Sequence, residues 1–183
     1  RDRPRVRPGL EARILAELGA DVVKLEPPGG DPARRPTVAG IADASASWYV
    51  WNACKRGAVL DTESDSGRAV FLNLISDADI LIRNSAETPL PHATLAEHNS
   101  RLIDVIVSPY DADGALRDRP ATDLTLMARS GLAAIIGDPD RAPLRLPGEQ
   151  AYALAGTQGA IAALAALHAR HASAPYAAAW QRI

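Results

Sequence analysis

Leu10-Glu11-Ala12-Arg13-Ile14-Leu15-Ala16-Glu17-Leu18-Gly19-Ala20-Asp21-Val22-Val23-Lys24-Leu25-Glu26-Pro27-Pro28-Gly29-Gly30 is the stretch that decides the fold. Ile14, Leu15 and Leu18 recur at helical spacing, which predicts a helix over 10–18. Pro8 sits near its first turn, where a missing N–H costs least, and Gly19 supplies the stop. Val22, Val23 and Leu25 then form a run too short for a helix, so a buried strand is expected over 21–25. Pro27-Pro28-Gly29-Gly30 breaks it, and a loop runs to about Ser45.

The same alternation continues outward. A second short strand is expected over 58–60. A helix follows over 64–76, with Ser64 as N-cap and Val70, Phe71, Leu74 and Ile75 inward. Strands are expected over 78–82 and 102–108, a helix over 93–99, and another over 124–130 ended by Gly131. The longest helix, over 150–168, is rich in alanine and glycine and is expected to pack closely. Helices alternating with short aliphatic strands mean an α/β fold: a Rossmann-like open, mostly parallel sheet with flanking helices. Arg1 to Arg7 makes a poor first strand, so the chain is expected to begin inside the fold. Ligands in such sheets bind beyond the carboxyl ends of the strands. That rule places Glu26 to Arg35, Arg83 to Glu87 and Pro109 to Asp123 near one rim.

Composition narrows the function. The 183 residues are 47% hydrophobic with a formal net charge of -2, which suits one cored domain and excludes a wholesale polyanion binder. Aromatics at 4% argue against a base-stacking surface, hence no nucleic acid. The one cysteine, Cys54, excludes an internal disulfide framework. No apolar run reaches the roughly 20 residues that span a bilayer, and no signal peptide is visible. The expected setting is cytoplasmic, without a membrane partner.

Three groups of residues carry possible chemistry. Pro27 to Arg35 is a rigid, glycine-bearing loop with Arg34 and Arg35. It reads either as a phosphate-approaching loop or as a surface turn with solvated arginines. Trp48-Tyr49-Val50-Trp51-Asn52-Ala53-Cys54-Lys55-Arg56 sets aromatics beside two cations. Adenine stacking with phosphate pairing is one reading, and packing over a sheet edge is the other. Asp111, Asp113, Asp118 and Asp123 read as turn formers and caps. His92, His98, His168 and His171 show no zinc spacing, and His168 and His171 read as C-terminal caps, so no metal is expected.

In order along the chain, these segments resemble the class III CoA-transferase (CaiB/BaiF) family. The block from Leu15 to Pro32 looks like its opening signature. Asn52-Ala53-Cys54-Lys55-Arg56 with Leu60-Asp61, Gly67-Arg68, Asp77 to Ile82 with Asn84, Asn99 to Ile103, Asp123-Leu124, Ser130-Gly131-Leu132 and Gly137 to Arg145 are similar to later blocks. The resemblance implies a Rossmann-like large domain, of which residues 1–183 are the N-terminal part. The usual small second domain is absent from this stretch. It also implies CoA or an acyl-CoA as substrate, transfer of CoA between carboxylic acids, and a homodimer or a heterodimer with a family member. By residue-level match, Arg34, Lys55, Arg56 and Asn84 fall where the family contacts CoA.

The match breaks at the reacting position. The family's transferases attack the acyl-CoA with an aspartate shortly before the long helix. Here that register holds Tyr152, and Glu149 is the nearest carboxylate and the candidate substitute. Thr122 stands where the family's racemases need a histidine. Ser108-Pro109-Tyr110-Asp111 replaces a Gly-aromatic-Gly run, and Ser85-Ala86-Glu87 replaces a proline-glycine step. The expectation is an acyl-CoA-binding member, either a transferase or a degenerate one. The alternative is a non-catalytic subunit that completes a transferase dimer.

Overall fold

The computed structural model describes residues 9–34, 46–84, 90–111, 113–172 and 180–182. Pro8, residues 35–45, Ser85-Ala86-Glu87 and the tail over 173–176, all of which bear on expectations above, lie outside the described residues.

Helix α1 spans Leu10–Glu17, and Gly19 leaves it with φ 104°. Strand β1 is Val23–Glu26, and a 3-10 turn follows at Pro32–Arg34. Helix α2, Ala46–Asn52, leads into β2, Arg56–Val59. Helix α3, Asp65–Asp77, precedes β3, Ile80–Arg83. Helix α4, His92–His98, precedes β4, Ile103–Ile106. Helix α5, Asp123–Arg129, is joined through a 3-10 turn at Leu132–Ile135 to α6, Gln150–Ala172. A short β5, Trp180–Arg182, closes the order.

Every strand pairing among the described residues is parallel, as the alternation requires, in one sheet of β1 and β2 and another of β3, β4 and β5. β1 lies beside β2 with Val23 opposite Arg56 and Glu26 opposite Val59. β3 lies beside β4 with Ile80 opposite Ile103, and β4 beside β5. Phe71, Ile75, Leu95 and Leu102 form one apolar cluster, against which Leu25 of β1 and Leu81 of β3 both pack. A second cluster joins Leu15 of α1, Val105 and Val107 of the β4 region, and Tyr152, Ala163 and Ala166 of α6. No helix among the described residues is long and apolar enough to cross a membrane.

Four details depart from the periodicity. α2 is a helix where the sequence read only an aromatic segment beside cations. α6 runs one turn past the expected end, and β5 was not expected. Val70 and Leu74, expected inward, are exposed. α3 buries the narrow stripe Gly67, Phe71 and Ile75, four residues apart, and positions 70 and 74 lie beside that stripe. Gly67 is obligatory there: a Cβ would lie 1.8 Å from the Asp61 carbonyl oxygen. Ser64 caps α3 as expected, its Oγ accepting the Gly67 N–H at 3.1 Å.

A charge cluster sits inside the β3–β4 pair. Asp104 is fully buried, and Arg83 grips it with Nε to Oδ1 at 2.8 Å and Nη2 to Oδ2 at 2.7 Å. His92 Nδ1 lies 3.1 Å from the same Oδ2. Arg83 Nη1 also donates to the Leu90 carbonyl at 3.2 Å, tying the start of α4 to the strand end. Removing one partner of such a pair strands the other charge in an apolar interior. Asp104→Ala is therefore expected to cost about 3–5 kcal/mol, read as a fall in the urea midpoint. Arg83→Met with Asp104→Leu, which removes both charges, is expected to be near neutral, and equal losses for the two variants would refute this account.

Candidate functional site

The carboxyl end of β1 is built around Glu26. Its carboxylate is buried and takes a two-pronged grip from Arg34: Nε to Oε2 at 2.7 Å and Nη2 to Oε1 at 2.8 Å. The Asp31 N–H adds a bond at 3.1 Å. The hydrogen bonds from Arg34 hold the Glu26 carboxyl below its usual range, against the opposing effect of burial. Glu26 in turn holds the guanidinium above its ordinary value. The guanidinium also stacks 4.1 Å from the centroid of the buried Trp48 ring. Lys24 lies 5.1 Å from that ring and pairs with Asp31 at 2.7 Å. The Pro27–Gly30 turn closes with the Gly30 N–H donating to the Pro27 carbonyl at 2.8 Å, and Gly30 takes φ 72°. Arg34 is thus fixed in plane and in direction. Its side chain stays half exposed, and Nη1 makes no hydrogen bond among the described residues.

Lys55 is placed differently. Its ammonium donates to the Gly9 carbonyl at 2.7 Å, the Trp51 carbonyl at 2.8 Å and Asn52 Oδ1 at 3.1 Å. All three donors are used within the protein, joining α1 to the end of α2. Burial lowers its pKa to about 8, with the Lys24 charge adding to the effect. Cys54 before it adopts φ 63°, which turns the chain from α2 into β2. Arg56 pairs with Asp21, Nε to Oδ1 at 2.9 Å and Nη2 to Oδ2 at 2.6 Å, and both are exposed. It opens β2 opposite Val23, whereas Glu26 closes β1. Three strand steps separate those ends by about 10 Å, so Arg34 and Arg56 stand at opposite ends of the β1–β2 pair. Asn84 is buried and directly follows Arg83 at the carboxyl end of β3.

Beside Asn84 the rim opens into a cleft of about 840 Å³. The Val107 N–H donates to the Arg83 carbonyl at 2.9 Å, so Ser108, the first lining residue, leaves β4 next to Asn84. Tyr110, Leu126, Arg129, Ile135 and Leu154 form its walls, and Tyr152 lines it from the first turn of α6. Asp123 fixes that turn. It is buried at the start of α5, and its Oδ1 accepts the Ala151 N–H at 2.7 Å and the Tyr152 N–H at 3.4 Å. Thr122 caps α5, its Oγ1 accepting the Thr125 N–H at 3.3 Å. Glu149 precedes α6, its carbonyl accepting the Ala153 N–H at 3.0 Å. The expected site residues therefore separate: Tyr152 is in the cleft, Asn84 adjoins it, Arg34 stands at the β1 end, and Lys55 and Arg56 are held by protein oxygens.

Sequence reasoning missed two features. Glu26 gave no signal of its role, because the residue that grips it lies in the loop beyond it. Glu11 is nearly fully buried under α6, where a Cβ on Gly156 would lie 2.8 Å from its Oε2. Burial raises its pKa, an effect reduced by backbone hydrogen bonds and by the charges of Lys55 and Lys24. Asp111 behaves as the turn former expected, its Oδ1 accepting the Asp113 N–H at 3.1 Å. No group of three or more metal-ligating side chains occurs among the described residues.

Comparison with known proteins identifies the family. Residues 9–174 match the model of CoA-transferase family III, and the chain belongs to that family. It is 36% identical over 166 residues to the Succinyl-CoA:(R)-benzylsuccinate CoA-transferase subunit BbsE of Thauera aromatica, covering 85% of this chain and 40% of that one. It is 38% identical over 164 residues to the probable CoA-transferase Rv1866 of Mycobacterium tuberculosis, covering 86% of this chain and 20% of that one. A CAIB/BAIF family protein from Brucella suis superposes with a TM-score of 0.82 at 27% identity, covering 95% of this chain and 47% of that one. The chain thus spans at most about half the length of these three relatives.

The Lys55 geometry has a direct consequence. A lysine pKa that is lowered on folding leaves the unfolded chain holding more protons between about 8 and 10.5. Stability is therefore expected to rise with pH across that window. After reductive ¹³C-methylation, one of the two lysine signals should titrate near pH 8 by NMR. Two midpoints above 10 would contradict the buried placement.

Proposed function

We propose that this chain binds a CoA thioester along the carboxyl-end rim and takes part in moving CoA between carboxylic acids. The preorganised Arg34 carries the reading. Glu26 and Trp48 fix its guanidinium, and its remaining N–H edge is directed away from its acceptors, which suits a phosphate group of CoA. Asn84, buried at the carboxyl end of β3, carries an amide, a group that can both donate and accept. Lys55 would reach CoA by exchanging its present oxygen acceptors for phosphate oxygens, whereas Arg56, at the amino end of β2, stands away from that rim as a tie to Asp21. Residues 1–183 form the N-terminal part of the large domain. Charge-assisted hydrogen bonds contribute about 1.5–3 kcal/mol. Arg34→Ala is accordingly expected to raise the Kd for CoA about 10- to 100-fold by calorimetry, at 1.4 kcal/mol per decade. Unchanged affinity would remove Arg34 from the site.

A second reading rests on Tyr152 and on the outer face of α6. Leu154, Ile161 and Leu164 leave that face apolar and exposed, which suits a partner subunit. In that reading the partner, a homodimer mate or a related chain, supplies the attacking carboxylate. Incubation with acyl-CoA followed by hydroxylamine separates the two. Hydroxamate at Glu149, seen by mass spectrometry, assigns the nucleophile to this chain, whereas hydroxamate only on a co-purified subunit assigns it to the partner.

A further inference from the structure

We propose that Glu11 is a proton-dependent seat for the start of α6, so that the cleft wall at Tyr152 follows the protonation of one buried carboxyl. The inference concerns packing within this chain and stands whether or not CoA binds at the rim. Glu11 lies in the first turn of α1 and is 1% exposed. α6 crosses over it on two glycines. A Cβ on Gly159 would lie 3.5 Å from the Glu11 Cβ and 3.8 Å from its Cγ, and one on Gly156 would lie 2.8 Å from its Oε2. The backbone of α6 thus covers the side chain from stem to carboxyl. Tyr152 and Ala155, which line the cleft, stand within about one turn of Gly156. A movement at Glu11 is therefore passed directly to the cleft wall.

The carboxyl is poorly provided for as an anion. Its Oε1 is buried and has no hydrogen-bond partner among the described residues. A buried anion with an unmet oxygen is costly. Gly156 and Gly159 of α6 and Val107 beyond β4, which surround the site, carry no charge, and Tyr152 is the nearest titratable group on α6. The charges that reach Glu11 are those of Lys55 and Lys24. Lys55 is not a direct counter-ion, because its ammonium is held by the Gly9 and Trp51 carbonyls and by Asn52. Backbone hydrogen bonds in the first turn of α1 also favour the ionised form. Burial outweighs all of these, and Glu11 keeps its proton above the ordinary 4.5. Once ionised, the carboxylate gains water only where the start of α6 lifts. That lift pulls the Ala151 and Tyr152 amides from Asp123. The folded chain keeps a proton that the opened one loses. The contact is therefore at full strength below 4.5 and weakens as pH rises through the folded midpoint.

Two measurements on the purified chain test this. With ¹³C-labelled glutamate, one carboxyl signal should titrate above 4.5 by NMR and be missing from Glu11→Gln. Hydrogen exchange of the amides over 151–157, corrected for the intrinsic effect of pH, should quicken through the same midpoint. The opening constant should rise about tenfold for each unit by which that midpoint exceeds the ordinary value. Glu11→Gln keeps the shape without the charge and should retain the low-pH protection at every pH. Glu11→Ala, which empties the seat, should lose protection at every pH. Titration of all glutamate signals at or below 4.5 overturns the inference. So does a pH response in Glu11→Gln equal to that of the wild type, or an equal loss in Glu11→Gln and Glu11→Ala, either of which leaves the proton of Glu11 without a role.

Discussion

How near α6 comes to α1 decides where the rest of the chain stands. Gly156 and Gly159 face α1, and a Cβ at Gly156 would also lie 3.0 Å from the Leu10 Cβ. Ala160, Ala163 and Ala166 continue the buried stripe down the helix. With no large side chain between them, α6 lies directly on α1 and on β4. That contact buries Leu15 against Val105 and Val107. It also points the first turn of α6, with Tyr152, into the cleft at the end of β4. A larger residue at 156 would displace Glu11 and lift this turn away from Asp123.

Three ion pairs with a buried member, Glu26–Arg34, Arg83–Asp104 and Arg170–Asp79, each stand where a strand begins or ends. Arg83 with Asp104 fixes the end of β3 relative to β4. Arg170 reaches back from the far end of α6 to Asp79 and the Arg101 carbonyl, at the start of both strands. The two ends of the β3–β4 pair are thus each clamped by an arginine. Glu26 with Arg34 is built alike but is only half buried, and its cation remains open on one edge. Structural pairs of this kind contribute geometry more than net stability. At Glu26 the same geometry holds a guanidinium in plane, which is what the proposed phosphate contact would need, since a guanidinium so held loses less freedom on pairing.

The fold was largely legible in the sequence because its signals are local. Ile14 and Leu15 before Gly19, and Ser64 three residues before Gly67, mark their helices without reference to the rest of the chain. The site was less legible because its determinants are not local. Lys55 reads as a free cation until the Gly9 carbonyl, 46 positions earlier, arrives beside it. Asp104 lies within the expected apolar strand over 102–108, and nothing local marks it for the pairing that Arg83, 21 positions earlier, supplies. α2 escaped notice because Trp48, Tyr49 and Trp51 suit several structures equally. The motif match grouped Arg34, Lys55, Arg56 and Asn84 as one set, yet the coordinates separate Arg34 from Arg56 by the length of a strand.

Tyr152 limits what chemistry this chain can perform alone. A carboxylate that attacks a thioester forms an anhydride, whose own carbonyl carbon then accepts the CoA sulfur and releases the acid. Exchange needs that carbonyl carbon on the enzyme. A phenol has none: it can take up an acyl group, but it has no acyl carbon to offer the sulfur. Asp123 is carboxylate enough, but its Oδ1 is committed to the Ala151 and Tyr152 amides, and its burial makes it a cap for α6. On the proposed reading, CoA binding and the acyl relay are therefore separable: Arg34 and Asn84 would serve the first, and a carboxylate for the second would come from Glu149 or from another subunit.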